Sequence, residues 1–150
     1  MKKYSFLILF STILLMNTFV TGCSKGNKVV LVRMLYIKNN LRRVTEISMW
    51  DCNGIDYRGR PEGMTMRKKI SDQNNISNIM SAISKVDAYN SDFWPSYLNL
   101  ICFKDSEGRI YCTSIEFEPK DKFVYGWGFV DWDYYQLYDA LDVAGLVPYK

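Results

Sequence analysis

The sequence predicts an α+β domain in which an antiparallel sheet of about six strands carries two helices on one face, in the order β-β-β-α-β-β-β-α. Three observations lead to this fold class. Apolar residues recur at helical spacing in two segments, they alternate along several others, and clusters of turn residues separate the segments. The chain of 150 residues is long enough for one domain with a substantial core.

The first 22 residues have the pattern of a secretory signal peptide. Two lysines near the amino terminus precede an apolar run over residues 6–15, and small residues end the segment. Asn17 and Thr18 interrupt the run before it reaches the ~20 apolar residues that a spanning helix needs. We therefore expect the segment to be removed.

A cysteine follows this segment in the sequence Val20-Thr21-Gly22-Cys23. An aliphatic residue, two small residues and a cysteine resemble the lipobox of bacterial lipoproteins, with valine in place of the commoner leucine. The resemblance implies that the Cys23 sulfur carries diacylglycerol, that the chain is cut just before it, and that fatty acids such as palmitate are attached. Only a thiolate is nucleophilic enough for this alkylation near neutral pH. The alternative is ordinary cleavage near Gly22, which leaves a free thiol.

The lipobox resemblance also implies a location for the protein. Two acyl chains hold a protein stably on a membrane, so we expect a lipid-anchored protein of the bacterial cell envelope. Ser24, where some lipoproteins have aspartate, favours the outer membrane if the host is Gram-negative. Residues 23–28 then comprise the lipidated cysteine and a short tether, and residues 29–150 form the single α+β domain.

The sequence of the first half of the domain predicts three strands and a helix. Residues 29–37 are a continuous apolar run with β-branched members, and residues 42–50 and 64–70 follow as strands on either side of a loop rich in glycine and arginine. Ser71 or Asp72 then caps a helix. The apolar stripe of this helix has the spacing i, i+3, i+4, i+7 and comprises Ile76, Ile79, Met80 and Ile83.

The second half begins with a β-hairpin over residues 97–118. Two alternating strands flank the turn from Asp105 to Gly108, and the glycine supplies the positive φ of a bulged three-residue loop. Pairing of Asp105 with Arg109 fixes one register, whereas a four-residue loop would shift the register by one residue.

The register of this hairpin decides which cysteines pair. With Asp105 opposite Arg109, two cysteines face each other at a separation that suits a disulfide. These are Cys102 and Cys112, and an exported chain meets oxidising conditions. With the shifted register they lie on opposite faces of the sheet, and Cys52 becomes a rival partner.

The chain ends with an aromatic strand and a second helix. The strand covers residues 122–131, and its opposite face contains two glycines, so a helix can approach the backbone closely. The aromatic residues on the first face are Phe123, Tyr125, Trp127 and Phe129. Asp131 or Asp133 caps the helix, and Gly145 ends it in a left-handed conformation. The stripe of this helix comprises Tyr134, Leu137, Tyr138 and Leu141.

Histidine is absent from the sequence. Its absence excludes Ser-His-Asp and Cys-His catalysis and histidine-ligated zinc. A hydrolase would need carboxylates, a Ser-Lys pair or a metal held by oxygen. Asp131 and Asp133, two residues apart, suit such chemistry, but helix capping is the commoner role. We therefore expect no catalytic residues, no metal and no cofactor.

The charge of the chain is unevenly distributed. Residues 25–70 contain eleven lysines and arginines and four acids, whereas residues 71–150 contain six and twelve. Without the first 22 residues the chain has 17 lysines and arginines (19 minus Lys2 and Lys3) against 16 acids, and this near-neutral balance gives no general attraction to nucleic acid. Either the two halves neutralise each other across neighbouring strands, or a basic surface faces anionic headgroups or an acidic partner. The basic residues concerned are Arg42, Arg43, Arg58, Arg60, Arg67, Lys68 and Lys69.

Two pairs of residues are candidates for partner binding. Arg58 and Arg60 can clamp an acidic group, although an ordinary solvated loop also explains them. Trp127 and Trp132 belong to an aromatic cluster that suits stacking against a sugar or peptide. The alternative is that this cluster builds the core between sheet and helix.

These observations predict a non-enzymatic binding protein of the cell envelope, held on the membrane by its lipid and acting on a protein partner. Small periplasmic inhibitors and immunity proteins are similar in size, delivery and disulfide use, although no motif is shared. The alternatives are a structural or assembly accessory of an envelope complex and a carboxylate-based hydrolase.

Overall fold

The structure is a computed structural model that describes residues 29–55, 61–88, 99–127, 129–130 and 136–148. The elements of these residues, in chain order, are β1 (Val29–Leu31), α1 (Met34–Asn40), β2 (Val44–Asp51), β3 (Gly54–Ile55), β4 (Pro61–Glu62), β5 (Thr65–Ile70), α2 (Gln73–Ile83), β6 (Asp87–Ala88), β7 (Asn99–Asp105), β8 (Ile110–Glu118), β9 (Phe123–Gly126), β10 (Phe129–Val130) and α3 (Gln136–Val143). The predicted α+β class is confirmed.

Eight of these strands form one sheet. Its order is β5-β2-β7-β8-β9-β10-β6, and β1 pairs with β8 beside this path. The pairing of β1 with β8 is parallel, whereas the other described pairs are antiparallel. The sheet is therefore mixed rather than purely antiparallel. Strands β3 and β4 form a separate ribbon within the predicted glycine-rich loop.

The predicted first strand, residues 29–37, divides into β1 and α1. Met34, Ile37 and Leu41 fall at i, i+3 and i+7, and all three are buried. The valines of the run lie before the helix, whereas Met34 and Leu35 favour helical structure. A continuous apolar run is compatible with either a strand or a buried helix. Burial of the helical stripe against the sheet decides between them.

The three described helices contribute to one core on the same face of the sheet, which we name the helix-covered face. In α2, the Asp72 carboxylate accepts the Asn75 N–H at 2.8 Å and caps the helix, as predicted. The stripe residues Ile76, Ile79 and Ile83 are buried in this core.

Helix α3 ends as predicted. Gly145 has a φ of 67°, and the Leu146 N–H donates to the Leu141 carbonyl at 2.8 Å. This bond and the buried Leu146 side chain are the features of a Schellman cap. The aspartates predicted to cap the start of this helix lie outside the described residues.

The predicted aromatic strand folds as two strands, β9 and β10, with Gly126 opposite Phe129. Phe129 is therefore turned onto the helix-covered face and fully buried, whereas Phe123 and Tyr125 lie on the other face of β9. A side chain on Gly126 would collide with the Phe129 ring and the Ser114 carbonyl. The glycine does permit a close approach, but by a ring and the neighbouring strand rather than by a helix.

Candidate functional site

Most residues singled out from the sequence as sites lie outside the described residues. They are Cys23, Arg58, Arg60, Asp131, Trp132 and Asp133. Their roles therefore stay predictions. Trp127 and the two cysteines of the hairpin are described.

Trp127 is half-buried in the turn after β9. Its backbone N–H donates to the Ser114 hydroxyl at 3.1 Å, and its carbonyl accepts the Met34 N–H at 3.1 Å. The Arg33 guanidinium carbon lies 5.7 Å from the centre of the ring, within the range of a cation–π contact. Trp127 thus connects the end of β9 to the start of α1.

The predicted disulfide between Cys102 and Cys112 is present, with the two Cα atoms 4.0 Å apart. The residues are directly opposite each other in β7 and β8. Gly108 has the expected positive φ of 82°, and the Asp105 N–H donates to the Arg109 carbonyl at 3.0 Å. The three-residue loop and its register are confirmed.

Cys52 is a free, buried thiol. Its sulfur lies 2.8 Å from the Gly54 carbonyl oxygen and 3.2 Å from that of Glu62. Cys102 pairs with Ser48 of β2, four residues before Cys52, which is about 13 Å along a strand. The rival pairing with Cys52 is therefore wrong.

The candidate site lies at the tip of the β7–β8 hairpin, beside α1. A concavity of about 350 Å³ opens there. Its residues come from the end of α1, the segment before β2, and the hairpin. They are Tyr36, Asn40, Leu41, Arg42, Arg43, Asp105, Ser106, Glu107, Arg109 and Tyr111.

A second, larger concavity of about 690 Å³ adjoins the first. The two share Arg42, Arg43 and Ser106, and the second extends to α2. We name the two together the basic groove. The further residues of its α2 side are Val44, Thr45, Gln73, Ile76, Ser77, Met80 and Ser81.

The Asp105 carboxylate connects the residues of the hairpin tip through hydrogen bonds. One carboxylate oxygen accepts the N–H groups of Glu107 and Arg109, each at 2.9 Å, and the other accepts the Arg109 Nε–H at 2.8 Å. The Ser106 N–H donates to the Arg43 carbonyl at 3.1 Å, which joins the tip to the segment before β2. Local Asp side chains commonly organise turns in this way.

The electrostatics of the tip follow from these bonds. Loss of solvent raises the pKa of Asp105, but the hydrogen bonds from Arg109 and from the two backbone N–H groups outweigh it and lower the pKa overall. Arg109 also pairs with Glu107 at 2.9 Å. Both acids are therefore engaged with Arg109.

Two tyrosines form one wall of the first concavity. The ring centres of Tyr36 and Tyr111 are 5.6 Å apart, and the Arg109 guanidinium lies 6.0 Å from the centre of the Tyr111 ring. Burial raises the pKa of Tyr111, so its hydroxyl stays protonated at neutral pH and acts as a hydrogen-bonding group.

Arg42 and Arg43 differ from the other arginines around the sheet. Arg67 pairs with Asp51 at 3.0 Å, and Arg109 is held as described. Arg42 and Arg43 are exposed, and neither guanidinium forms an ion pair with another described residue. They carry two positive charges in the middle of the groove.

The arrangement has residue types that recognise an anionic group. Guanidinium groups bind carboxylates and phosphates through paired hydrogen bonds, and Asn40, Gln73 and Ser77 add polar groups along the groove. Among the described residues, no group of three or more acidic or cysteine side chains could hold a metal ion.

The sequence identified Arg42 and Arg43 as members of a basic set but did not indicate the groove. Other members of that set lie elsewhere, since Arg67, Lys68 and Lys69 are on the edge strand β5. The groove forms because the hairpin tip and α2 flank the two arginines. This proximity is a tertiary contact, and no local sequence pattern predicts it.

No helix among the described residues has the length and apolar content that crossing a membrane requires. Comparison of the chain with protein families, with curated proteins and with solved structures finds no match.

Proposed function

We propose that this protein is a lipid-anchored binding protein of the bacterial cell envelope, and that it binds an acidic segment of a protein partner in the basic groove. The lipid is attached to Cys23, as the lipobox-like sequence suggests. The action is non-enzymatic, of the type seen in inhibitors and immunity proteins.

One observation carries the proposed binding site. Arg42 and Arg43 stand exposed between two adjoining concavities, while the nearby Asp105 and Glu107 are held by Arg109. A partner carboxylate can therefore approach the two guanidiniums without displacing an existing ion pair with a described residue. Charge complementarity of this kind contributes association rate and specificity.

The tyrosine wall supports a protein partner. Tyr36 is 42% exposed, and its ring contacts that of Tyr111, which Arg109 covers. Tyrosine and arginine are enriched where binding energy concentrates in protein interfaces. The groove combines both residue types beside two positive charges that form no ion pair with a described residue.

The proposed anchor is tested by changing Cys23 to alanine in a bacterial host. We expect loss of acyl labelling and accumulation of the uncleaved precursor, because the sulfur is the site of attachment. Normal processing of Cys23→Ala into a soluble mature protein would contradict lipidation.

The proposed binding site is tested with the mature protein, isolated from the envelope in mild detergent. A captured partner is purified and its direct affinity measured for wild type and for the double variant Arg42→Glu, Arg43→Glu. The matched control is Lys120→Glu, Lys122→Glu, which changes the charge equally in an exposed turn.

We expect the Arg42/Arg43 variant to weaken binding by at least about tenfold, equivalent to ~1.4 kcal/mol, and the control to bind as wild type. The affinity of the wild type should fall with added salt. Equal affinities of all three proteins would overturn the site. Recovery only as part of a membrane complex, unaffected by the variant, would indicate the accessory role instead.

A further inference from the structure

Exposed apolar side chains concentrate where the described part of the chain begins. Among the described residues, the large apolar side chains with the greatest exposure are Val29, Val30, Tyr36, Met66 and Val143. The first three fall within eight consecutive positions, in β1 and α1. The other two lie singly, on the edge strand β5 and on α3.

Of these residues, Val30 and Tyr36 belong to one continuous surface, whereas Val29 points to the other face of β1. Val30 is opposite Tyr111 in the β1–β8 pair, and the Tyr111 ring contacts that of Tyr36. A concavity of about 530 Å³ follows between α1 and the turn after β9. Leu35 and Trp127 line it.

Arg33 adds a positive charge to this surface. Its guanidinium lies over the Trp127 ring, and it also lines the concavity. We name the surface formed by Val30, Arg33, Leu35, Tyr36 and Trp127 the anchor-side surface. It combines apolar, aromatic and cationic groups, the composition of protein surfaces that lie at a membrane interface.

The covalent structure limits where this surface can be. Five residues separate Cys23 from Val29, and the connecting chain spans at most about 20 Å. A domain of this size is roughly 35 Å across. If Cys23 is lipidated, the end of the domain that contains β1 must therefore stay close to the bilayer.

We propose that the anchor-side surface lies against the lipid headgroups of the membrane that holds the protein. This inference rests on the lipid anchor of the proposed function. Tyr36 and Trp127 occupy the interfacial region that aromatic side chains favour, Val30 buries apolar area, and Arg33 lies near the lipid phosphates.

A weak contact is sufficient to orient the domain. Because the short tether keeps the domain beside the membrane, docking is an intramolecular step, and the effective concentration of the membrane surface at the domain is high. Few apolar contacts are then needed to favour the docked orientation over free rotation around the tether.

The docked orientation defines where a partner binds. Tyr36 and Asn40 line both the 530 Å³ concavity and the first concavity of the basic groove. The groove therefore begins at the margin of the membrane-facing surface and continues past Arg42 and Arg43 to α2. An acidic segment bound there would be held beside the bilayer.

Photo-crosslinking in living bacteria tests the docking. A photoreactive amino acid replaces Val30 or Tyr36 in the full chain, and replaces Met66 or Val143 as matched controls with similar or greater exposure. After irradiation, mass spectrometry measures phospholipid adducts at each position, and also the acyl mass on Cys23.

We expect phospholipid adducts at Val30 and Tyr36 to exceed those at the controls by at least about fivefold, because interfacial side chains lie among the headgroups. With Cys23 acylated, equal adduct yields at the four positions would overturn the docking and leave the anchor intact. Adducts to protein instead of lipid at position 30, which does not line the basic groove, would overturn it as well. An unmodified Cys23 would refute the anchor, and the docking with it.

Discussion

The two faces of the sheet are buried by different means. On the helix-covered face, three helices enclose a core of 22 buried residues among those described. On the opposite face, which we name the disulfide face, the corresponding cluster has four, namely Cys52, Leu100, Cys102 and Cys112. The same strands supply both clusters, because successive side chains alternate between the faces.

The difference between the faces shows how a disulfide can add stability where few apolar side chains are buried. Among the described residues this cluster has four buried side chains, with Leu31, Trp50, Met64 and Ile110 partly buried against it, so they bury less apolar area, the main source of stability, than the other cluster does. The disulfide face adds a covalent link between the two strands at its centre. The helix-covered face stabilises the fold by apolar packing. The disulfide face stabilises it in part because the disulfide restricts the conformations of the unfolded chain.

The largest expected changes in stability come from truncating two neighbouring residues of β7, one on each face. Ile101 and Leu100 are both fully buried, but they face the helix-covered and disulfide sides respectively. Truncation of either to alanine should cost between about 2 and 5 kcal/mol. We expect Ile101→Ala to lie near the upper end and Leu100→Ala near the lower end, because the denser core loses more contacts.

Urea denaturation of the purified proteins measures both changes. Val143→Ala is the control, since this side chain is 78% exposed and its truncation should change stability by no more than about 0.5 kcal/mol. A greater loss for Leu100→Ala than for Ile101→Ala would contradict the proposed difference between the faces.

Removal of the disulfide is expected to have the next largest effect. The link closes a loop with a sequence separation of 10, for which the chain-entropy account gives roughly 2–3 kcal/mol. The double variant Cys102→Ala, Cys112→Ala should lose that amount in non-reducing denaturation. In reductant its stability should equal that of the reduced wild type, apart from the small difference between alanine and cysteine.

Cys52→Ala serves as the control for the disulfide variant. It removes a buried thiol from the same cluster but no covalent link. If this change destabilised the protein as much as loss of the disulfide does, packing rather than chain restriction would account for the stability of this face.

The carboxylate of Asp105 closes the hairpin independently of the disulfide. Its pKa lies below the ordinary value of 3.8, so its contribution to stability is present above the unfolded pKa and is lost as the pH falls through the folded pKa. We expect Asp105→Asn to flatten the decline in stability below about pH 4. In the variant without the disulfide, acid should open the hairpin more readily.

Amide hydrogen exchange of the β7–β8 strands and denaturation at about pH 6 and 3 measure these effects. Glu107→Gln is the matched control, because it removes an acid from the same turn that pairs with Arg109. An unchanged acid response in Asp105→Asn would show that the carboxylate does not act in this way.

The features that the sequence predicted correctly depend on local interactions. The hairpin register follows from the turn at Asp105 and Gly108 and fixes the disulfide within the same two strands. The caps at Asp72 and Gly145 likewise depend on bonds within a few residues.

The predictions that were wrong depend on distant contacts. Residues 29–37 became a strand and a helix because Met34 and Ile37 are buried against the rest of the core. The aromatic strand divides because Phe129 fills the space above Gly126. The basic groove was not predicted, because it forms where the hairpin tip and α2 come together around Arg43. These segments are distant in the sequence, and residue spacing does not indicate contacts between distant segments.

The smallest expected effect concerns Thr113, a polar residue within the helix-covered face. It is fully buried, and its hydroxyl has no hydrogen-bond partner among the described residues. Burial of an unpaired hydroxyl costs free energy, so the isosteric change Thr113→Val should leave stability unchanged or raise it by up to about 1 kcal/mol.

Thr113 pairs with Ile101 across β7 and β8, so this change tests the same core as Ile101→Ala with the opposite sign. Thr113→Ser is the matched control, since it keeps the hydroxyl and removes the methyl group; it should destabilise the protein by about 1 kcal/mol. A loss of more than about 1 kcal/mol in Thr113→Val would mean that the hydroxyl is hydrogen-bonded in solution. The helix-covered face would then contain a buried polar contact as well as apolar packing, and the contrast with the disulfide face would be weaker.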